Sequence, residues 1–106
     1  MFSPEFSLEE INKYKSTIIR RHKITEESFE NDLCLLKKVV TFIPVQQYEK
    51  SLSYALLFCP DEDDVDFFAL ATHMNCPLWS NDKTLKKQSL VYVLSTHELA
   101  QELKFL

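Results

Sequence analysis

The chain has 106 residues, a length that allows one domain and no second independent core. Its formal net charge of −4 argues against a protein that coats nucleic acid through clustered cations, although a bound metal ion can reverse the sign locally. Glycine is absent, which excludes the Gly-rich phosphate loops of nucleotide-binding proteins. The three cysteines have no CxxC spacing, so we predict reduced, partly buried thiols rather than disulfides or a zinc site.

The sequence also bears on location and on backbone conformation. No apolar run approaches the ~18 residues of a membrane span, and the acidic N-terminus is unlike a signal peptide. We therefore expect a soluble, cytoplasmic protein with no membrane contact. Without glycine, left-handed backbone positions need other residues, and Asn75 and Asn81 are the expected ones.

The N-terminal part predicts a short strand followed by two helices. The segment Ser3–Ser7 is typical of a strand end and a helix start, with Ser7 as the N-cap. The apolar stripe of this first helix is Leu8, Ile11, Tyr14 (or Lys15), Ile18 and Ile19. Thr25 is the expected cap of the second helix, whose apolar face is Phe29, Leu33, Leu36 and Val40.

The remaining elements alternate between short apolar strands and helices. In chain order they are a strand at Thr41–Ile43, a helix over Tyr48–Cys59, a helix over Val65–Met74 ended by Asn75, strands at Pro77–Ser80 and Leu90–Leu94, and a last helix capped by Thr96. This alternation predicts an α/β domain with a largely parallel sheet.

Acidic residues stand near the predicted strand ends, where ligands collect in open α/β sheets. Asp82 directly follows Pro77–Ser80, the acidic run from Asp61 opens the helix before that strand, and Glu10 lies one helical turn after the first strand. Converging carboxylates suit Mg²⁺ or Mn²⁺, which prefer oxygen ligands. On composition alone, however, an acidic run before a helix is more often a cap with solvated charge, and Asp82 after a strand is also a candidate cap of a short helix over Thr84–Lys87.

The residue pattern of several segments resembles that of one known family. The resemblance to PIN domains is most specific at Trp79–Asp82 and weakest between Lys23 and Tyr54. The matching segments are Cys59–Asp64, Phe67–Ala71, Asn75–Lys83 and Val91–Thr96 with Glu98–Leu99, and near the N-terminus Ser3–Phe6 with Glu9–Ile11.

PIN domains are metal-dependent nucleases that act mainly on RNA, and many are toxins of toxin–antitoxin pairs. The resemblance implies a single PIN-like domain over residues 1–106, a three-layer fold with a mainly parallel sheet flanked by helices. It places catalytic, metal-binding acids at Glu10, Asp64 and Asp82, with Asp61 as an accessory ligand of Mg²⁺ or Mn²⁺. It makes Ser80, Asn81 and Lys83 the expected substrate-binding residues. The implied chemistry is phosphodiester hydrolysis by a metal-activated water.

The family's first strand, which carries its first acidic residue, has no counterpart here. We therefore expect an incomplete domain whose sheet lacks its usual central strand. Either the strands near Phe2 and Trp79 then pair directly, or a second chain covers the exposed edge and gives a homo-oligomer.

Two functions follow from this reading. The first is a PIN-family endoribonuclease, the toxin of a toxin–antitoxin pair, with RNA as substrate, an antitoxin protein as partner and reduced activity in this chain. The alternative is a catalytically inactive PIN remnant that acts as a protein-binding or oligomerisation module.

Aromatic and basic residues near the site are given structural roles. Phe67, Phe68 and Trp79 are expected in the core rather than stacked on RNA bases. Lys83, Lys86 and Lys87 stand beside Asp82, and from the residues alone a solvated helix face is favoured, with contact to a phosphate backbone as the alternative.

Overall fold

The computed structural model describes residues 1–104, so Phe105 and Leu106 of the predicted domain lie outside the described residues. The chain divides into two units, Met1–Val45 and Gln46–Leu106, and each is described by itself.

The first unit pairs two short strands around three helices. β1 and β2 are parallel, with Phe2 opposite Thr41 and Pro4 opposite Ile43. The elements of this unit are β1 (Phe2–Pro4), α1 (Glu5–Lys13), α2 (Lys15–His22), α3 (Glu26–Val39) and β2 (Thr41–Ile43).

The start of the first helix differs from the prediction. α1 begins at Glu5 with Pro4 at the N-cap, and the Ser7 hydroxyl lies inside the helix, donating to the Pro4 carbonyl at 2.7 Å. Ser7 is therefore not the cap, because its hydroxyl bonds back to the preceding turn. The expected single helix is also divided at Tyr14, whose φ of −98° and ψ of 15° separate α1 from α2.

The second predicted cap is confirmed. The Thr25 side chain accepts a hydrogen bond from the Ser28 backbone N–H at 3.0 Å, which satisfies one of the free N–H groups of α3. Phe29 and Leu33 on the predicted apolar face are buried.

The second unit contains Asp61, Asp64 and Asp82 and is called the acidic half of the chain. Its strands are β3 (Leu78–Trp79) and β4 (Val93–Leu94). Its helices are α4 (Val45–Tyr48, which begins at the last residue of the first unit), α5 (Leu52–Phe58), α6 (Val65–Met74) and α7 (Thr96–Leu103), with 3₁₀ turns at Glu49–Ser51, Glu62–Asp64 and Lys83–Lys87.

α6 is the most buried helix of this unit. Its buried side chains are Val65, Phe68, Ala69, Leu70 and Ala71, which fits an apolar helix surrounded by other elements. Asn75 ends it in the left-handed conformation, with φ of 52°, as predicted. The same prediction for Asn81 is wrong, since the positive-φ residues of the described chain are Lys23 and Asn75.

β3 and β4 run parallel and bring two strand ends together. The Leu78 N–H donates to the Tyr92 carbonyl, and the Ser80 N–H donates to the Leu94 carbonyl, both at 2.9 Å. Both strands are shorter than predicted. The residues that follow them, from Asn81 and from Ser95 onward, consequently start side by side.

The mixed helix and strand class and the parallel pairing are confirmed. In place of one sheet, the described residues form two two-stranded sheets. β1 pairs with β2 and β3 pairs with β4, so the expected direct pairing of the strands near Phe2 and Trp79 is wrong. The three-layer arrangement, the missing central strand and the single domain stay predictions.

Two further predictions concern thiols and membranes. Cys59 and Cys76 are half-buried free thiols as expected, whereas Cys34 is exposed because it lies on the outer side of α3. Among the described helices, none has the length and apolar character needed to cross a bilayer.

Replacement of Tyr48 by Phe tests a side-chain hydrogen bond inside the second unit. The Tyr48 side chain is almost fully buried, and its hydroxyl donates to Asp66 Oδ2 at 2.6 Å. We expect Tyr48→Phe to lower the free energy of unfolding by about 1–2 kcal/mol, because phenylalanine cannot donate to the half-buried Asp66 carboxylate. Urea denaturation measures this loss. Tyr54→Phe, at an exposed position, should change stability by less than about 0.5 kcal/mol, and an equal effect of the two variants would contradict the prediction.

Candidate metal centre

Three carboxylates of the second unit lie close together. Asp61, Asp64 and Asp82 each offer one oxygen, and these three oxygens are within 4.8 Å of one another. Asp61 is the N-cap and Asp64 the last residue of the 3₁₀ turn Glu62–Asp64 before α6, whereas Asp82 comes from the loop after β3. Residues separated by about twenty positions in the sequence are thereby brought into one half-buried cluster.

Asp61 is held by its own loop. Its Oδ1 accepts from the Asp63 N–H at 2.9 Å, and its carbonyl accepts from the Asp64 N–H at 3.1 Å. The Cys59 thiol donates to the same carbonyl at 3.2 Å. Burial is the main cause that raises the pKa of this thiol, so it stays protonated as a donor.

Asp82 is held in a similar way from the other side. Its Oδ1 accepts from the Thr84 N–H at 2.9 Å and caps the turn Lys83–Lys87. Its own N–H donates to Ser80 Oγ at 3.1 Å. The capping role considered from the sequence is thus confirmed. It is compatible with metal binding because a carboxylate has two oxygens and about four acceptor positions.

Asp64 shows the electrostatic cost of the cluster. Its pKa is raised above the ordinary value, first by burial and then by the negative charges of Asp61, Asp82 and Asp63. A charged Asp64 is therefore disfavoured by its surroundings, and a cation at this position would relieve both burial and repulsion.

The donor set fits a hard divalent cation. Mg²⁺ holds oxygen ligands at about 2.1 Å, so two oxygens on one ion lie about 3–4 Å apart. The observed upper limit of 4.8 Å requires only small side-chain rotations to reach that spacing. Such ions also keep several waters, so three carboxylates are enough protein ligands.

The Asn81 side chain makes structural contacts. Its Oδ1 accepts from the Thr96 N–H at 2.8 Å and its Nδ2 donates to Thr96 Oγ1 at 2.9 Å. Trp79 Nε1 donates to the same Oγ1 at 3.0 Å. Asn81 therefore joins the loop that carries Asp82 to the start of α7, and its expected contact with substrate stays a prediction. Trp79 was expected in the core and is half exposed, so that expectation is wrong.

A pocket of about 530 Å³ lies against this loop. Its lining combines the predicted substrate-binding residues and Asp82 with Lys86, for which a solvated helix face was favoured, and Ser95, which had no predicted role. The full lining is Ser80, Asn81, Asp82, Lys83, Lys86 and Ser95. The spacing of Lys83 and Lys86 was the available signal, since residues three apart share one side of a 3₁₀ turn.

Lys86 also forms an ion pair with Glu98 of α7. Glu98 completes a capping box with Ser95, because each residue's backbone N–H donates to the side chain of the other at 3.2 Å. Ser95, rather than the predicted Thr96, is thus the N-cap of α7.

Glu10 is an exposed residue of α1 in the first unit. The cluster described above consists of Asp61, Asp64 and Asp82 of the second unit. The role of Glu10 as a further ligand therefore stays a prediction.

A comparison with protein families found a match. The family model described as PIN domain matches residues 1–104, nearly the whole chain. The chain belongs to the PIN-domain family. PIN domains are nuclease-type proteins and generally depend on Mg²⁺ or Mn²⁺, which agrees with the oxygen ligands gathered here. No curated protein and no solved structure matches this PIN chain.

Replacement of Asp64 tests the charge repulsion in the PIN site. The raised pKa means that the folded state binds the proton more tightly than the unfolded state, so the charged form opposes folding at neutral pH. In EDTA at pH 7 we expect Asp64→Asn to be more stable than wild-type protein by up to about 1 kcal/mol, and therefore to unfold at a higher temperature. With Mn²⁺ added, wild-type protein should become the more stable of the two, because the ion stabilises the folded state that binds it.

Thermal unfolding followed by circular dichroism, with and without Mn²⁺, measures both effects. Glu62→Gln is the matched control, because Glu62 is exposed on the same turn, lies outside the cluster and is not among the charges that raise the pKa of Asp64. An Asp64→Asn variant that keeps the full Mn²⁺-induced stabilisation would contradict the assignment of Asp64 as a ligand.

The Glu98 capping box gives a pH-dependent prediction. The ion pair with Lys86 and the hydrogen bonds from Ser95 lower the pKa of Glu98 from 4.5 to about 2. This stabilisation is present above pH 4.5 and is lost as the pH falls toward 2. We expect Glu98→Gln to lower the unfolding midpoint at pH 7, by a difference that shrinks steadily between pH 4.5 and 2. Glu102→Gln, at an exposed position of α7, serves as control, and a pH-independent difference for Glu98→Gln would refute the explanation.

Proposed function

We propose that this PIN-family chain is a Mg²⁺- or Mn²⁺-dependent endoribonuclease. The observation that carries the proposal is the cluster of Asp61, Asp64 and Asp82, whose oxygens come from two separate loops at one end of the β3–β4 pair. A pocket with two lysines adjoins the same loop, so ion ligands and phosphate-binding cations are neighbours.

The three aspartates hold the ion, and two of them are oriented for this by backbone N–H groups. Asp61 and Asp82 are fixed through one oxygen by N–H groups of their own turns, which leaves the other oxygen for the ion. Asp64 supplies the half-buried charge that most needs a counter-ion. When bound, Mg²⁺ or Mn²⁺ would act as a Lewis acid toward a phosphate oxygen and lower the pKa of a coordinated water.

The pocket residues orient the substrate. Lys83 is exposed at the pocket and offers a charge to a phosphate of the RNA backbone. Ser80 presents a hydroxyl at the pocket while accepting from the Asp82 N–H, so it supports the ligand and contacts the substrate side. Glu10 is proposed as the further acid, supplied by α1.

The biological role that the family membership favours is that of a toxin in a toxin–antitoxin pair. In this role the chain cleaves cytoplasmic RNA, and an antitoxin protein binds it to suppress cleavage.

Replacement of Asp82 tests the proposed reaction. Asp82→Asn keeps the capping oxygen, since Asn caps helices as well as Asp, but removes the charge that binds the ion. We expect Mn²⁺-dependent cleavage of a mixed single-stranded RNA to fall about 100-fold or more, equivalent to about 2.7 kcal/mol of transition-state stabilisation. Asp63→Asn should retain activity. Gel analysis of end-labelled RNA measures the cleavage. Residual cleavage that is the same in wild-type and Asp82→Asn protein would indicate a contaminant and count against the proposal.

The alternative function, a binding or oligomerisation module, is favoured by one specific observation. α5 carries apolar side chains around most of its surface, and four large ones are exposed: Tyr54, Leu56, Leu57 and Phe58. Exposed apolar surface of this kind is typical of protein interaction sites, and the outer edges of the two-stranded sheets are further candidates for a homo-oligomer. Isothermal titration without any Mn²⁺ binding, together with a dimer mass in light scattering, would favour this module over the nuclease.

A further inference from the structure

Trp79 is the one tryptophan of the sequence, and half of its side-chain surface is exposed, at 50%. Large aromatic side chains of a strand are usually placed in a core, and its neighbours Val93 and Leu94 on β4 are buried. Trp79 instead lies on the outward side of β3, immediately before the residues that line the pocket.

The indole is held in place although it is exposed. Its Nε1 donates to Thr96 Oγ1 at 3.0 Å, and the Asn81 amide donates to the same oxygen at 2.9 Å. The two nitrogens are therefore at most 5.9 Å apart, which puts the indole edge beside a pocket-lining residue. Since the one polar atom of the ring already has a partner, the surface left to solvent is the apolar π surface.

We propose that Trp79 is a stacking platform for one unpaired base of the RNA substrate, while a backbone phosphate beside that base contacts Lys83 in the pocket. The inference rests on the proposed function for its substrate class and adds a specificity-determining residue to it. A fixed indole loses little conformational freedom when a base stacks on it. A base inside a duplex cannot reach the ring, so the platform selects unpaired nucleotides.

The charges of the pocket give a phosphate contact of a different kind. A lysine binds any phosphate backbone, with or without bases, and its contribution falls as salt rises. Stacking requires the base and is far less sensitive to salt. The two contributions can therefore be measured separately on the same chain.

The experiment compares two probes of equal charge, a uridine decamer and an abasic decamer with the same backbone. In EDTA no metal-dependent cleavage occurs, and the fluorescence of the single tryptophan reports on the indole directly. We expect the uridine decamer to quench this fluorescence and to bind about 10-fold more tightly than the abasic decamer. Equal quenching and equal affinity for the two probes, or no binding of the uridine decamer, would overturn the inference.

Variants measured by anisotropy of the labelled decamers locate the effect. Trp79→Ala should lose the preference for the uridine decamer, whereas Trp79→Phe, which retains an aromatic face but loses the Nε1 donor to Thr96, should keep part of it. Tyr54→Ala is the matched control, because Tyr54 is similarly exposed but lies on α5 away from the pocket lining. Lys83→Gln should weaken both decamers equally and reduce the salt dependence, with a change in slope of about 0.7.

Thr96→Val tests the anchoring of the indole. Valine retains the shape of threonine but removes the oxygen that accepts from Trp79 and Asn81. We expect the preference for the uridine decamer to fall several-fold, with Thr96→Ser restoring it and unchanged circular dichroism in both variants. Equal preference in Thr96→Val and wild-type protein would remove the anchor from the proposal.

Failure of this inference and failure of the nuclease proposal give different results. A chain that cleaves RNA with Mn²⁺ but does not distinguish the two decamers lacks the platform and keeps the proposed function. A chain that distinguishes the decamers in EDTA but never cleaves RNA retains the platform as a binding site of an inactive domain.

Discussion

Mutual repulsion among Asp61, Asp64 and Asp82 is the constraint around which the acidic half is built. Three negative charges within 4.8 Å, one of them with its pKa raised by burial and by its neighbours, oppose folding unless something holds them. The structure holds them through the backbone. In each loop a backbone N–H donates to an aspartate oxygen. These hydrogen bonds in two 3₁₀ turns keep the Asp61 and Asp82 carboxylates in place although their negative charges repel.

The same loops are coupled to the start of α7. Ser80 bonds across to the Leu94 carbonyl, Asn81 binds both the N–H and the hydroxyl of Thr96, and Ser95 and Glu98 close the capping box. The strand pair β3–β4 is only two residues long on each side, too short to hold a loop by its ladder alone. Side-chain hydrogen bonds at the strand ends therefore take over part of the positioning that a longer sheet would provide.

The sequence predicted those features that depend on local chemistry. The caps at Thr25 and Asp82, the left-handed Asn75 and the apolar face of α6 all follow from short-range rules, and the structure agrees. The wrong predictions concern helix N-caps, where two neighbouring side chains can each form the capping hydrogen bond. Ser7 bonds backward to Pro4 instead of capping, and Ser95 takes the capping position one residue before Thr96. The convergence of Asp61 and Asp64 with Asp82 needed the family resemblance, because on composition alone such an acidic run is more often a solvated cap.

Capping and metal binding are competing explanations of Asp82 in the sequence, yet one carboxylate has room for both, because the cap uses Oδ1 and a carboxylate has a second oxygen. The cap alone does not explain why Asp82 lies against two other aspartates, since a cap needs no charged neighbours. An exposed indole beside the same loop is likewise unexplained by folding, which would favour its burial. Two unfavourable features that adjoin one pocket are what a binding site requires, because proteins tolerate local conflicts with folding where function depends on them.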